Sequence, residues 1–199
     1  MGIKHIHLSL AAAALATSLL AAGPSVSKVS TYGFAGRSGE VTLLVDMDAA
    51  RYRGGEKYVP LLIYLGHTER KTLHADRTTF TLTDPSGARH PLPAPEVVTE
   101  AYGPNLVSND YTYLGRLPDY GSMLFLANVQ IPRVAFFANP SGPPRILYDK
   151  VELPNRTFFI ALLYFPNPMG KASGTYTLTY DDPQSGTRIE VPFAIPWAP

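Results

Sequence analysis

Short apolar runs, separated by Pro, Gly and polar turns, recur from about residue 40 to the end of this chain, and they constrain its fold more than any other feature. Between Glu40 and Met47, Val41, Leu43, Val45 and Met47 alternate with polar Thr42 and Asp46. A period of two predicts a half-buried strand. Tyr58 to Leu65 is nearly all apolar and predicts a central strand, with Pro60 at a bulge or an end because it cannot donate to a ladder. Thr78 to Thr83 alternates again, with Phe80 and Leu82 inward, and Asp84-Pro85-Ser86-Gly87 is turn chemistry that returns the chain through Arg89 to Leu92. Met123–Ile131, Ile146–Leu153, Phe158–Phe165, Thr175–Tyr180 and Arg188–Ile195 carry further strand patterns. The last two are joined by the polar loop Asp181 to Gly186. Pro is 19 of 199 residues, about twice the usual share of roughly 5%, and is scattered between the runs. About eight or nine short strands predict an all-β chain, an antiparallel immunoglobulin-like β-sandwich.

One stretch breaks the pattern. Pro95, Glu96 in the first turn and Gly103-Pro104 at the end are helix start and stop signals. Leu106, Asp110, Tyr113, Leu114 and Leu117 follow at spacings of three or four, up to Pro118. A short helical insertion over about 95–117 is expected.

The first residues read as an export address. A polar start with Lys4 precedes the uncharged Leu8–Ala22 stretch and a small-residue exit. This is secretory signal-peptide chemistry, and the apolar stretch is shorter than the roughly 20 residues of a membrane span. Cleavage is expected near Ser27, giving 1–27 as signal peptide, 28–39 as a Gly/Ser-rich flexible lead-in and 40–199 as a single domain. The expected location is periplasmic or extracellular, with no membrane span after cleavage. The mature chain would have about 172 residues, one domain by length. Losing Lys4 reduces Lys+Arg from 17 to 16, equal to the 16 Asp+Glu. A neutral balance argues against nucleic acid as a partner. With no Cys, thiol catalysis, thiolate metal sites and lipidation on cysteine are excluded.

Candidate chemistry is sparse. His67 and His74 lie in or beside a polar loop with Glu69 and Asp76, and imidazole with carboxylate can hold zinc or copper. Their spacing fits no metal motif, so solvated loop residues are the preferred reading. Asp46 and Asp48, and Asp181 with Asp182, are acidic pairs that lack the further oxygen ligands calcium needs. They are taken as solvated edge and turn residues. No nucleophile elbow and no phosphate loop occurs. Asn155-Arg156-Thr157 fits the glycosylation pattern, here a chance match for a chain with a bacterial type of signal. No catalytic residue, cofactor or metal is expected. Tyr102, Tyr111, Tyr113 and Tyr120, with Arg116, concentrate within the insertion. Tyrosine is enriched in binding surfaces, so this group is the candidate partner surface, while packing of some of these rings onto a sheet is the preferred reading.

Leu62 to Pro93, with Asp76, Thr79-Phe80-Thr81-Leu82-Thr83-Asp84-Pro85, Gly87 and His90-Pro91, resembles the core of small extracytoplasmic immunoglobulin-like domains of bacterial lipoproteins. Val151-Glu152-Leu153-Pro154, Leu163-Tyr164-Phe165-Pro166 and the Gly174–Phe193 hairpin are similar to uncharacterised exported bacterial proteins of the same build. The likeness is one of pattern, spans about half the chain and departs from the lipoproteins in lacking their cysteine. It implies a sandwich fold and a non-enzymatic role, with no functional residues to transfer.

The expected function is therefore an exported interaction module that binds a protein, peptide or envelope component through its loops. The alternatives are a structural or assembly protein acting through sheet edges and, last, a hydrolase.

Overall fold

The computed structural model of the chain describes residues 25–120, 129–142 and 148–199, with 116–120 described by backbone alone. The fold is mostly β, with three sheets and two short helices. In chain order the strands are β1 (Ser25–Lys28), β2 (Gly33–Ser38), β3 (Val41–Asp46), β4 (Tyr58–His67), β5 (Leu73–Ala75), β6 (Phe80–Thr83), β7 (Arg89–Pro91), β8 (Val129–Gln130), β9 (Val151–Leu153), β10 (Thr157–Pro166), β11 (Tyr176–Asp182) and β12 (Thr187–Phe193). Helices α1 (Pro95–Tyr102) and α2 (Pro104–Asp110), then a 3-10 stretch over Tyr111–Tyr120, lie between β7 and β8.

The largest sheet has the order β1-β2-β3-β4-β10-β8, the second β12-β11-β6-β7, and β5 pairs with β9 alone. All pairings are antiparallel except β8 with β10, which is parallel over two residues.

The register fixes the layers. Gly36, Leu43, Leu65 and Phe159 lie side by side across four strands of the six-stranded sheet. Their face meets the four-stranded sheet. A Cβ on Gly36 would sit 2.9 Å from methyl groups of Ile189 and Val191 on β12, closer than real contacts, so glycine is what lets these strands approach. Phe136 bridges the layers, with ring centroids 5.6 Å from Phe80 and 6.0 Å from Phe159. Truncating a buried ring of this kind costs about 3 to 5 kcal/mol. The opposite face carries Leu44, Leu62 and Tyr164, and it too is buried. Tyr164 packs under the helices, its ring 5.4 Å from Tyr102 and 5.0 Å from Phe137. Every residue of β3 is therefore buried, not only its apolar alternate. The half-buried expectation is corrected because both faces of this sheet are covered.

Further expectations meet the structure as follows. Residues 28–39 are no loose lead-in, since β2 pairs with β3 along six positions. Pro60 lies inside β4 opposite Tyr164, but β3 pairs with β4 only from Leu62 onward, so no ladder bond is asked of its missing N–H on that side. Ile146, Leu147 and most of Met123–Ile131 fall outside the described residues; Tyr148 to Lys150 are described but form only an isolated bridge from Tyr148 to Val134, so the strand of the first run is shorter than expected and begins at Val151. Among the described residues no helix is long and apolar enough to cross a membrane.

Candidate functional site

The insertion begins where its sequence says. Pro95 occupies the first turn of α1 with Glu96 beside it, favourable to the helix dipole. Gly103, at φ 95°, ends α1 in a backbone conformation few other residues adopt, and Pro104 starts α2. The spacing Val98 to Tyr102 puts two apolar groups on one face of α1, and Val107 and Asp110 share a face of α2. These faces meet β10.

Their junction is a buried polar cluster. Arg53 donates from Nη2 to Asp110 Oδ1 at 2.6 Å and from Nε to the Tyr102 hydroxyl at 2.7 Å. Tyr102 in turn donates to Asp110 Oδ2 at 2.7 Å, and the Tyr164 hydroxyl reaches the same oxygen at 3.3 Å. Burial pushes the Asp110 carboxyl above its ordinary range against the pull of Tyr102 and Arg53. Burial works against the Arg53 charge, but Asp110 and Tyr102 together outweigh it and hold its pKa above the ordinary value. The cluster bolts α1 and α2 to β10, and an unpaired charge left there would cost about 3 to 5 kcal/mol.

The proposed tyrosine surface is thereby divided. Tyr102 is 4% exposed and belongs to the cluster, not to a surface, because its hydroxyl and ring are both committed. Tyr111 is half-buried, donates to the Phe137 carbonyl, and has its pKa pushed up to about 12 by burial. Tyr113 is half-buried and engaged. The side chains of Arg116 and Tyr120 lie outside the described residues.

Of the five, Tyr111 lines the groove that does exist. With Leu114 it forms one wall of a cavity of about 240 Å³. Gln130, Ile131 and Arg133 to Ala135 form the other wall, and Ile160, Ala161 and Leu162 of β10 form the floor. Three consecutive strand residues in one lining mean that the groove runs along the edge of β10. β8 covers that edge only at Thr157 and Phe158. The chain then turns away at Pro132 and Arg133, the latter at φ 64°, a conformation that costs a non-glycine residue about 1 to 2 kcal/mol. Arg133 is exposed and pairs with no acidic side chain among the described residues.

The histidines and carboxylates serve the framework. His67 is 1% exposed, where a solvated loop was expected. It ends β4 and donates from Nε2 to the Leu153 carbonyl at 2.9 Å. Asp46 and Asp48 are buried as well, with Asp46 Oδ1 accepting from the Asp48 N–H at 2.8 Å. Asp182 is buried and accepts from the His74 N–H at 2.8 Å and from Ser185 Oγ at 2.6 Å, while Asp181 meets Arg188 at 2.7 Å. Asp84 does the same at the other Asp-Pro turn, accepting from Ser86 Oγ at 2.6 Å and lying 2.8 Å from His90 Nε2. Burial alone would raise its pKa, but the bonds from Ser86, His90 and the Ala88 N–H outweigh it and bring it to about 2. In both turns Ser and His converge on the carboxylate instead of forming a relay through the imidazole, so these are capped turns. Among the described residues no group of three or more His, Asp or Glu side chains could hold a metal.

Sequence patterns missed the groove. Its one signal is Ile131-Pro132, an apolar run stopped by a residue that cannot continue a ladder. Comparison with protein-family models, curated proteins and solved structures gives no match to this chain.

Proposed function

We propose that this chain is an exported, non-enzymatic interaction module, an immunoglobulin-like β-sandwich that binds a protein or peptide in the groove along β10. The groove carries the proposal. It combines a strand edge that no described strand covers beyond Phe158, an aromatic wall at Tyr111 and an exposed cation at Arg133, on a frame made rigid by buried sheets and the Arg53–Asp110 cluster. Rigid scaffolds that present irregular connections are where binding residues concentrate. The apolar Leu8–Ala22 stretch after Lys4 supports export.

The test is retention of an envelope-extract component on immobilised protein, compared with Arg133→Glu. We expect one component to be held by the unaltered protein and lost from Arg133→Glu, with no change in melting temperature. Equal retention by both would remove the groove from the account, and absence of any retained component would remove the binding role. Export has its own check. Intact mass after expression with an active secretion pathway should show loss of roughly the first 25 residues.

A further inference from the structure

We infer that the groove takes an extended peptide segment carrying an acidic side chain, added as a strand beside β8 on the edge of β10; this rests on the interaction-module reading. The Ile131 N–H donates to the Phe158 carbonyl at 2.8 Å, and the Val129 N–H to the Arg156 carbonyl at 3.1 Å. Phe158 therefore turns its peptide groups toward β8 and away from β4. In a strand that direction repeats every second residue, so Ile160 and Leu162 turn theirs the same way. Phe159 and Ala161 turn theirs to β4, opposite Leu65 and Ile63.

Beyond Phe158 no described strand pairs with this edge. Pro132 has no N–H to offer, and Arg133 swings the chain away. The departing segment bonds elsewhere, the Tyr148 N–H to the Arg133 carbonyl and the Ala135 N–H to the Tyr148 carbonyl, both at 3.0 Å. Among the described residues, no backbone hydrogen bond from the groove side reaches Ile160, which is half-buried, or Leu162, which is 3% exposed. N–H and C=O groups spaced two residues apart, with no described backbone partner, are a template for one kind of occupant, another extended chain. A helix satisfies its own backbone groups and a compact small molecule cannot match the repeat.

The rim adds the side-chain preference. Arg133 is an exposed guanidinium at the end of the lining, without an acidic partner among the described residues. A carboxylate on the incoming strand would meet it in a charge-assisted pair, and an ammonium would be repelled. Tyr111 and Leu114 offer the opposite wall an apolar and aromatic contact for the alternate side chains.

The probes are seven-residue peptides of alternating Val and Thr, capped at both ends, with Glu or Lys at the centre, and a third peptide with the Glu form N-methylated at alternate residues. Binding is followed by amide NMR on the full protein. We expect the Glu peptide to shift and protect the Ile160 and Leu162 amides, the Lys peptide to bind at least tenfold more weakly, and N-methylation to abolish binding. Arg133→Glu should reverse the Glu-over-Lys preference. Binding that survives N-methylation, or shifts that map away from β10, would overturn strand addition. So would sedimentation as an edge-paired dimer, which makes a second copy the occupant. No peptide binding together with Arg133-dependent retention of an envelope component would end this inference and leave the module reading standing. Loss of both would end both.

Discussion

The six-stranded sheet ends in two different ways. At one side β1, four exposed residues ending at Lys28, pairs with β2 at Phe34 to Arg37, but the cleavage expected near Ser27 would remove three of those four residues and leave β2 as the edge strand. β2 is clamped to β12 at Gly36. At the other side β10 is ten residues long, and β8 covers two of them. Ile160 to Leu162 line a groove with Tyr111 and Leu114 of the insertion and with residues of the 130–135 segment. One edge is closed by packing on β12, whereas the other, among the described residues, pairs with no strand beyond Phe158. An open edge is a liability unless something is meant to occupy it, which is why the difference points to β10.

The largest expected effect breaks the wall of the open edge. Asp110→Ala leaves the Arg53 guanidinium buried without its carboxylate and should cost about 3 to 5 kcal/mol in urea unfolding. Replacing both residues with apolar groups of similar size should recover much of that loss. If Asp110→Ala melted like the unaltered protein, the helices would not be held by this cluster. Next, Gly36→Ala tests the clamp at the closed edge. Its methyl would press on Ile189 and Val191, and overpacking of this kind costs about 1 to 3 kcal/mol. A neutral result would show that β2 and β12 can separate freely.

A smaller effect serves as a control at the outer edge of the facing sheet. Asp84 has a folded pKa of about 2 against an ordinary 3.8, so its ionised form stabilises the fold. That contribution, about 1 to 2 kcal/mol, is complete above pH 4 and disappears as pH falls toward 2. The stability difference between the unaltered protein and Asp84→Asn should narrow over that interval. A difference independent of pH would assign the turn's stability to packing.

Much of the frame was legible in the chain. Period two placed Phe80, Leu82 and the β11–β12 hairpin, and Pro95 with Gly103 bounded α1. What was not legible depended on distant partners. Gly36 reads as flexible composition until β12 lies against it. Which of the insertion's tyrosines pack could not be read locally, because Tyr102 finds its partners Arg53 and Tyr164 far along the chain. His67 read as loop because nothing local announces that Leu153 will cap its ring. The groove depends on where β8 leaves β10, a matter of register that no local pattern carries.

The central claim is that the β10 edge is open beyond Phe158, and amide hydrogen exchange of the free protein measures it residue by residue. Phe159 and Ala161 should exchange slowly, because their N–H groups are bonded to β4. Ile160 and Leu162 should exchange orders of magnitude faster than these two neighbours. Equal, slow exchange at all four positions would contradict the account, since it would mean that the edge is already paired.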